Sequence, residues 1–374
     1  MSKIKVLVVD DAVVIRKIVA DALSQDKDLE VVGVAANGKI ALEKIESLNP
    51  EILTLDVEMP VMDGLETLEQ LKKFKSKPKV IMFSTLTQRG GSATLEALAR
   101  GAMDYVTKPS NVANLLAAVE HIKKELIPKI KGLCPRKPIK NIPATPKDIP
   151  ATASPSPRFP IRQDVVTLAE PPAVQAKINI VTIGVSTGGP NALTDLLPHF
   201  PEDFPVPIVI VQHMPAQFTQ LLAERLNNKS SLEVLENQPG LELIRGRVII
   251  AAGDYHMTLH RQGNQVFTGA NQGPPENSCR PAVDVLFRSV ASMYGTNALA
   301  LILTGMGQDG LKGCEVIRSA KGRVIVQDEA TSVVWGMPGF VARSGLAEKI
   351  LPLSEVAPEV IRLCQHKRTA ATHS

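Results

Sequence analysis

Three residues of the chain have the types needed for acyl transfer: Ser186, His213 and Asp309. Ser186 sits in Gly184-Val185-Ser186-Thr187-Gly188, directly after the apolar run Ile178–Ile183. Glycines on both sides tolerate a tight strand-to-helix turn, and the helix start behind them presents N–H groups to a developing anion. Gly-x-Ser-x-Gly fits the elbow that exposes a nucleophilic serine. It also fits a plain glycine-rich turn that holds a phosphate. No Gly-Lys-Ser/Thr follows for a P-loop, and the glycine spacing is not that of a dinucleotide site. His213 follows the pure apolar run Val206–Val211, and Asp309 follows Ala298–Leu303 through Thr304-Gly305-Met306-Gly307-Gln308. If the three runs are strands of one parallel sheet, their ends share an edge. A serine could then lie beside a histidine oriented by an acid. The chain order Ser…His…Asp differs from the Ser…Asp…His of α/β-hydrolases. His256, with Asp254 two residues before it, is the one rival base among seven histidines. An Asp-Gly pair such as Asp309-Gly310 is ordinarily a turn. Here its glycine-rich approach from an apolar strand favours a working acid.

A second constellation lies near the N-terminus. Asp10 and Asp11 end the run Ile4–Val9, Asp56 ends Glu51–Leu55, Ser84 ends Lys79–Phe83, and Lys108 follows Tyr105-Val106. One acid after a strand is usually a helix cap. Three acids converging from two strands repel one another unless a cation sits among them. Hard oxygen ligands favour Mg²⁺, which keeps waters and accepts a phosphoryl oxygen. Lys108 can neutralise such a group and Ser84 can hydrogen-bond it.

The elements that must position these residues form two α/β patterns. In the first, five strands (4–9, 31–35, 51–55, 79–83, 105–106) alternate with helices expected over 13–23, 38–47, to about 75, 94–100 and 112–126. Five βα units make a doubly wound parallel sheet with its functional groups at the C-terminal strand ends. The second pattern starts at Lys177, with strands expected at 178–183, 206–211, 232–235, 247–251, 265–268, 298–303 and 323–327. Helices are expected through Asn191, Leu193, Leu196 and Leu197 and over 218–226, 280–294, to about 320, and 356–364. The fold expected is thus α/β throughout: a doubly wound (βα)5 domain over 1–127 and a mainly parallel-sheet domain over 177–365. Residues 128–176 hold eleven prolines with 8 basic and 3 acidic side chains, which reads as an extended, semi-stiff tether. Residues 366–374 read as a tail. The flanking domains are near neutral, with 17 basic and 18 acidic groups in 1–127 and 17 of each in 177–374, so neither looks like a polyanion binder. An aromatic content of 3% argues against a base-stacking surface. No apolar run reaches the ~20 residues of a membrane span, and MSKIKVLVVDD is no secretion signal. Four scattered cysteines make no CxxC and no disulfide framework, which fits a reducing cytoplasm.

Residues 1 to about 125 resemble a response-regulator receiver domain through Asp10-Asp11, Asp56, Met59-Pro60 with Asp63-Gly64, Ser84 and Lys108-Pro109. The resemblance implies that Asp56 accepts a phosphoryl group from a histidine kinase. It implies Mg²⁺ held by Asp11, Asp56 and the Glu58 carbonyl, with Asp10 acting partly through water. It also makes Tyr105 the aromatic group that responds to the switch, alongside Ser84 and Lys108. The second domain resembles the chemotaxis protein-glutamate methylesterases of the CheB family. The matching motifs are Gly-Val-Ser186-Thr-Gly-Gly-Pro, Gln-His213-Met-Pro, Gly-Asp254-Tyr-His-Met, Arg-Pro-Ala-Val-Asp284, Leu-Thr-Gly-Met-Gly-Gln-Asp309-Gly and Gly-Met-Pro at 336–338. That resemblance implies Ser186 as nucleophile, His213 as general base and acid, and Asp309 as its orienter. It implies hydrolysis of glutamate γ-methyl esters on chemoreceptors, often with deamidation of receptor glutamines, and no cofactor for the ester step. The backbone N–H groups of Thr187 and Met306 are the candidate oxyanion donors. A hydrolase for another ester, a non-catalytic adaptor and a DNA-binding output are the competing classes. The near-neutral α/β output disfavours the last.

Overall fold

Burial explains the strands. Ile-Val-Ile-Val-Gln at 208–212 is buried at every position, and so are Ile180–Val185, Ala298–Ile302 and Arg323–Gln327. Strands covered on both faces read as continuous apolar runs, the mark of a parallel sheet between helices. The computed structural model describes residues 2–109, 114–136, 166–171 and 176–365.

The first domain contains β1 (Ile4–Val9), α1 (Val13–Ser24), β2 (Leu29–Ala35), α2 (Gly38–Leu48), β3 (Ile52–Asp56), α3 (Gly64–Leu71), β4 (Lys79–Ser84), α4 (Gln88–Ala99), β5 (Asp104–Thr107) and α5 (Leu115–Leu133). Its sheet is parallel in the order β2-β1-β3-β4-β5. α3 starts on a capping box: the Asp63 carboxylate accepts from Glu66 N–H at 2.7 Å, and the Glu66 carboxylate accepts from Asp63 N–H at 3.1 Å. Gly64 is required there, because a Cβ would collide with the carbonyl oxygen of Asp56.

The second domain contains β6 (Ile180–Val185), α6 (Gly189–Leu196), β7 (Ile208–Gln212), α7 (Ala216–Asn227), β8 (Glu233–Glu236), β9 (Arg247–Ile250), β10 (His256–Gln262), β11 (Gln265–Asn271), α8 (Val283–Tyr294), β12 (Ala298–Ile302), α9 (Leu311–Ser319), β13 (Arg323–Gln327), α10 (Met337–Arg343), β14 (Lys349–Leu351) and α11 (Leu353–Gln365). Seven strands form a parallel sheet in the order β14-β13-β12-β6-β7-β9-β8. β10 and β11 form a separate antiparallel hairpin.

Several elements depart from expectation. α5 runs past the expected boundary at 127, through Pro128, to Leu133. A proline inside a helix costs about 3 kcal/mol, but Ile127, Ile130 and Leu133 are buried beyond or beside it. Each recovers roughly 1.5–3 kcal/mol of burial, so packing outweighs the break. Within the expected tether, Ala169 N–H donates to Ala347 O and Glu170 O accepts from Arg318, so this stretch lies against the second domain. Residues 137–165 and 172–175 of the expected tether and the tail at 366–374 lie outside the described residues. α4 begins six residues earlier than expected because Thr87 caps it, accepting from Gly90 N–H at 2.9 Å. β10 was hidden by its polar outer half, His-Arg-Gln, and α10 by the turn-like Gly-Met-Pro. Among the described residues no helix is long and apolar enough to cross a membrane.

The two domains share one apolar core. The ring of Tyr105 on β5 stacks on Phe218 of α7, with centroids 4.9 Å apart and planes 6° from parallel. Asn191 of α6 donates to the carbonyls of Leu98 and Ala102 at 3.0 and 3.4 Å. At the far end of the contact, Gly132 of α5 lies against Val334 and Met306.

The sheet edge is anchored by a buried ion pair between Arg323 on β13 and Glu348, with the Glu348 side chain 1% exposed. Removing one partner leaves an uncompensated buried charge. Glu348→Ala is therefore expected to cost about 3–5 kcal/mol, read as a fall in unfolding midpoint. Arg323→Met with Glu348→Leu should recover most of it.

Candidate functional site

The register of the second sheet brings the expected residues to one edge. Val185 pairs with Gln212, so Ser186 and His213 leave adjacent strands side by side. His213 N–H donates to Val185 O at 3.2 Å, and the Gln212 amide clamps the pair by donating to both Ser186 O and His213 O, at 3.0 and 3.2 Å. On the other side Ile302 pairs with Gly184, and Ser186 N–H donates to Thr304 O at 3.0 Å. The loop after β12 then carries Asp309 round to His213.

His213 Nε2 lies 2.8 Å from Asp309 Oδ2. Asp309 is buried and held by four further donors: the N–H groups of Val283, Asp284 and Gly310, and the Asn277 amide. Burial works against its ionised form, but His213 and these N–H groups hold the carboxyl below its usual range. Burial likewise disfavours the imidazolium of His213, yet the bonds to Asp309 and Cys279 raise it above the ordinary imidazole value. Because Nε2 faces a carboxylate, the tautomer assigned carries its proton there, which leaves Nδ1 unprotonated, with the Cys279 thiol 3.7 Å away. Among the described residues the Ser186 hydroxyl makes no hydrogen bond, so the serine–histidine bond of a working triad is not formed here.

The backbone N–H groups of Thr187 and Met306 donate to no protein group among the described residues. The Thr187 carbonyl is occupied, accepting from the Thr304 hydroxyl at 2.9 Å. Gly188 adopts φ 77°, and a side chain there would strike Val333. Gly305 has no room for one beside Ser186 and Met337. His256 is not available as a base. Its Nε2 is bonded to Pro274 O at 3.0 Å, its Nδ1 accepts from Ala282 N–H at 3.2 Å, and it is 2% exposed.

Asn277 and Cys279 were missed from the sequence. Both lie in the irregular 272–282 connection, which has no periodicity to place them. Asp284 appeared only as part of a motif. It is buried and accepts from Gly310 N–H and Gly313 N–H at 2.9 and 2.7 Å, and it shares the Asn277 amide with Asp309. Burial, then the charge of Asp309, pushes its carboxyl up.

In the first domain Asp10, Asp11 and Asp56 bring carboxylate oxygens within 4.8 Å of one another. Lys108 Nζ bridges Asp10 and Asp56 at 2.8 and 2.7 Å. Burial, then the charge of Asp10, pushes Asp56 up to about 6. Two buried acids and a third at the rim outnumber one ammonium, so an all-oxygen site here fits a hard divalent cation. The Glu58 side chain points outward to Arg89 at 2.9 Å. Ser84 is turned toward α4, donating to Gly90 O at 3.1 Å. Tyr105 is buried against the second domain, with Lys129 Nζ 5.1 Å from its ring centre.

A parallel-sheet acid pocket joined to a parallel-sheet edge of serine, histidine and acid defines a class: response regulators whose output is an α/β hydrolase-like domain. The particular family follows from comparison. Residues 6–120 match the response regulator receiver domain and residues 181–360 match CheB methylesterase. A relative from Trichodesmium erythraeum, named protein-glutamate methylesterase/protein-glutamine glutaminase, is 51% identical over 97% of this chain and 99% of its own. One of the same name from Nocardioides is 47% identical over 98% of this chain and 97% of its own. The Thermotoga maritima CheB methylesterase catalytic domain is 43% identical, covering 50% of this chain and all of that one, with a TM-score of 0.49. The chain belongs to the CheB methylesterase family.

Proposed function

We propose that the protein is a phosphorylation-regulated protein-glutamate methylesterase that hydrolyses glutamate γ-methyl esters on methyl-accepting chemotaxis receptors and deamidates receptor glutamines. The observation that carries this is the 2.8 Å bond from His213 to a fully bonded, buried Asp309, with Ser186 at the neighbouring strand end. In the reaction His213 Nδ1 takes the Ser186 proton as Oγ attacks the ester carbonyl. The N–H groups of Thr187 and Met306 receive the oxyanion. His213 returns the proton to the leaving methanol, or to ammonia from a glutamine. Water, activated by the same imidazole, then hydrolyses the glutamyl-enzyme.

The receiver domain, taken to end at Leu133, has Asp56 as phosphoacceptor and a chemotaxis-type histidine kinase as donor. Asp10, Asp11, Asp56 and the Glu58 carbonyl would hold Mg²⁺. Bound there, the ion would supply positive charge for phosphoryl oxygens, while Lys108 and Ser84 bind the transferred group and Tyr105 responds. Ester hydrolysis needs no cofactor. The working compartment is the cytoplasm, with no nucleic acid and no membrane insertion involved. The segment to 176 serves as the tether.

Methanol release from methylated receptor membranes tests the reading. Methanol should appear in step with loss of receptor methyl groups. Hydrolysis of simple esters without methanol release would make the chain a hydrolase for another substrate. Inertness toward both, with no labelling of Ser186 by a serine-directed reagent, would make the output an adaptor.

The acid limb of the rate gives a further check. The neutral imidazole is the base, so activity is lost as pH falls through the His213 pKa. Asp309 raises that pKa above the ordinary ~6.5. The wild-type limb should therefore lie above 6.5, and Asp309→Asn should move it to lower pH while lowering the plateau. A limb that stays put in Asp309→Asn would detach it from His213.

A further inference from the structure

We infer that Cys279 and His213 form a site for a soft divalent cation, Zn²⁺ being the best match, whose occupation shuts off the hydrolase. The inference rests on the reading of His213 as the base. Cys279 ends a turn closed by two backbone bonds with Glu276, at 3.1 and 2.8 Å. Asn277 and Ser278 within the turn have φ of 51° and 63°. The turn holds Cys279 Sγ 3.7 Å from His213 Nδ1. Zinc bonds of ~2.1 Å to nitrogen and ~2.3 Å to sulfur at a tetrahedral centre separate the two ligand atoms by roughly 3.6 Å. The observed spacing therefore admits a cation with shifts of tenths of an ångström.

The second observation lies behind the ring. Metal-bound imidazoles ordinarily pass their other N–H to a carboxylate, which fixes the ring and raises its basicity. His213 already does this through Nε2 to Asp309, and Asp309 is fixed by the Val283 and Asp284 N–H groups. The imidazole, the thiol and a carboxylate oxygen lie within 4.8 Å of one another. Both ligand residues are partly exposed, so solvent can complete the coordination. Sulfur and imidazole select zinc over magnesium, whereas the oxygen pocket of Asp10, Asp11 and Asp56 has the opposite preference. One protein can thus hold both ions apart.

Binding replaces the S–H proton, which leaves to solvent, with a metal–sulfur bond. The Nδ1 lone pair is donated to the metal, and no atom changes oxidation state. Nδ1 is the same lone pair that must accept the Ser186 proton, so the bound enzyme cannot start the acyl transfer.

Cobalt is the probe, because a cobalt–thiolate bond absorbs in the near ultraviolet whether or not the protein turns over substrate. The full chain should show this band with one Co²⁺ per chain, displaced by Zn²⁺. Cys279→Ala and Cys279→Ser should both lack it, and Asp56→Asn should keep it. Asp309→Asn should weaken metal binding by about 10–100-fold, the usual effect of losing the carboxylate behind a ligating histidine. In methanol-release assays Zn²⁺ should inhibit the wild type and a chelator should restore it. The half-inhibiting Zn²⁺ concentration, taken relative to each protein's own rate, should rise at least about tenfold in the two Cys279 variants. No thiolate band in the wild type, or zinc inhibition unchanged in both variants, overturns the inference. A band in a protein that releases no methanol supports the metal site and removes the esterase reading. Methanol release that zinc does not affect does the reverse.

Discussion

Ser186→Ala and His213→Ala should each lower kcat for receptor demethylation by on the order of 10⁴-fold or more, and Asp309→Ala by somewhat less. The three act as one device, so the double variant Ser186→Ala/His213→Ala should be scarcely slower than either alone. The ranking follows from the bonds. Serine supplies the attacking oxygen and histidine moves the proton, so neither loss can be shared. Asp309 works through His213, and part of its positioning is held elsewhere, by the Gln212 clamp and the bond from His213 N–H to Val185 O. A residual rate should survive from the unbonded N–H groups of Thr187 and Met306. Folding needs separate attention for Asp309, since its loss strands the N–H groups of Val283 and Asp284. Val283 and Asp284 donate to different oxygens of Asp309, so Asp309→Asn, with one oxygen, spares only one of them, and the unfolding midpoint of each variant is the control. Normal turnover by His213→Ala would sink the assignment, because His256, with both ring nitrogens engaged, could not take over without rearrangement.

The site was legible where chemistry sits on regular structure. Ser186, His213 and Asp309 each follow a largely apolar run, broken before Ser186 only by Asn179 and Thr182, and such runs become central strands whose ends share an edge. The same logic placed Asp10, Asp56, Ser84 and Lys108. Residues in irregular connections were not legible. Asn277 bonds both Asp309 and Asp284, yet nothing in Glu-Asn-Ser-Cys signals that it folds back onto a strand end. The strand leading into Ser186, β6, lies two residues later than its apolar pattern implied, because Gly184 and Val185 look like turn residues until β7 and β12 pair with them. The contact between domains was hidden for a different reason. Tyr105 and Phe218 are each plausible core residues of their own domain, and a sequence does not say that two cores will merge.

That merged core sets the last expectation. With a small phosphodonor and Mg²⁺ the full chain should gain one phosphoryl group, on Asp56, and demethylate receptors faster by on the order of tenfold, within the usual 1–3 kcal/mol of coupling between sites. Asp56→Asn should abolish both effects. Phosphorylation adds about two negative charges beside Lys108, which now neutralises Asp10 and Asp56 together. It also adds acceptors that compete for the Ser84 hydroxyl, which at present donates to Gly90 O in the first turn of α4. Drawing Ser84 away loosens the helix that faces the second domain, where Leu221 lies against Gly91 and Glu96 faces Arg225 at 3.7 Å. That face abuts the catalytic edge. α6 begins three residues after Ser186, α7 begins three after His213, and Met306 touches the end of α5. A docked receiver should therefore block a bulky receptor, and tethering would let weak docking do so. Asn191→Ala removes two bonds across the contact without touching the reacting groups. It should raise the unphosphorylated rate and shrink the phosphodonor response, leaving the phosphorylated rate nearly as in the wild type. A fragment starting at Lys177 should be fast and unresponsive. If wild type, Asn191→Ala and fragment all run at one rate with or without phosphodonor, the receiver does not gate this edge, and its phosphorylation must act by delivering the enzyme to its receptor.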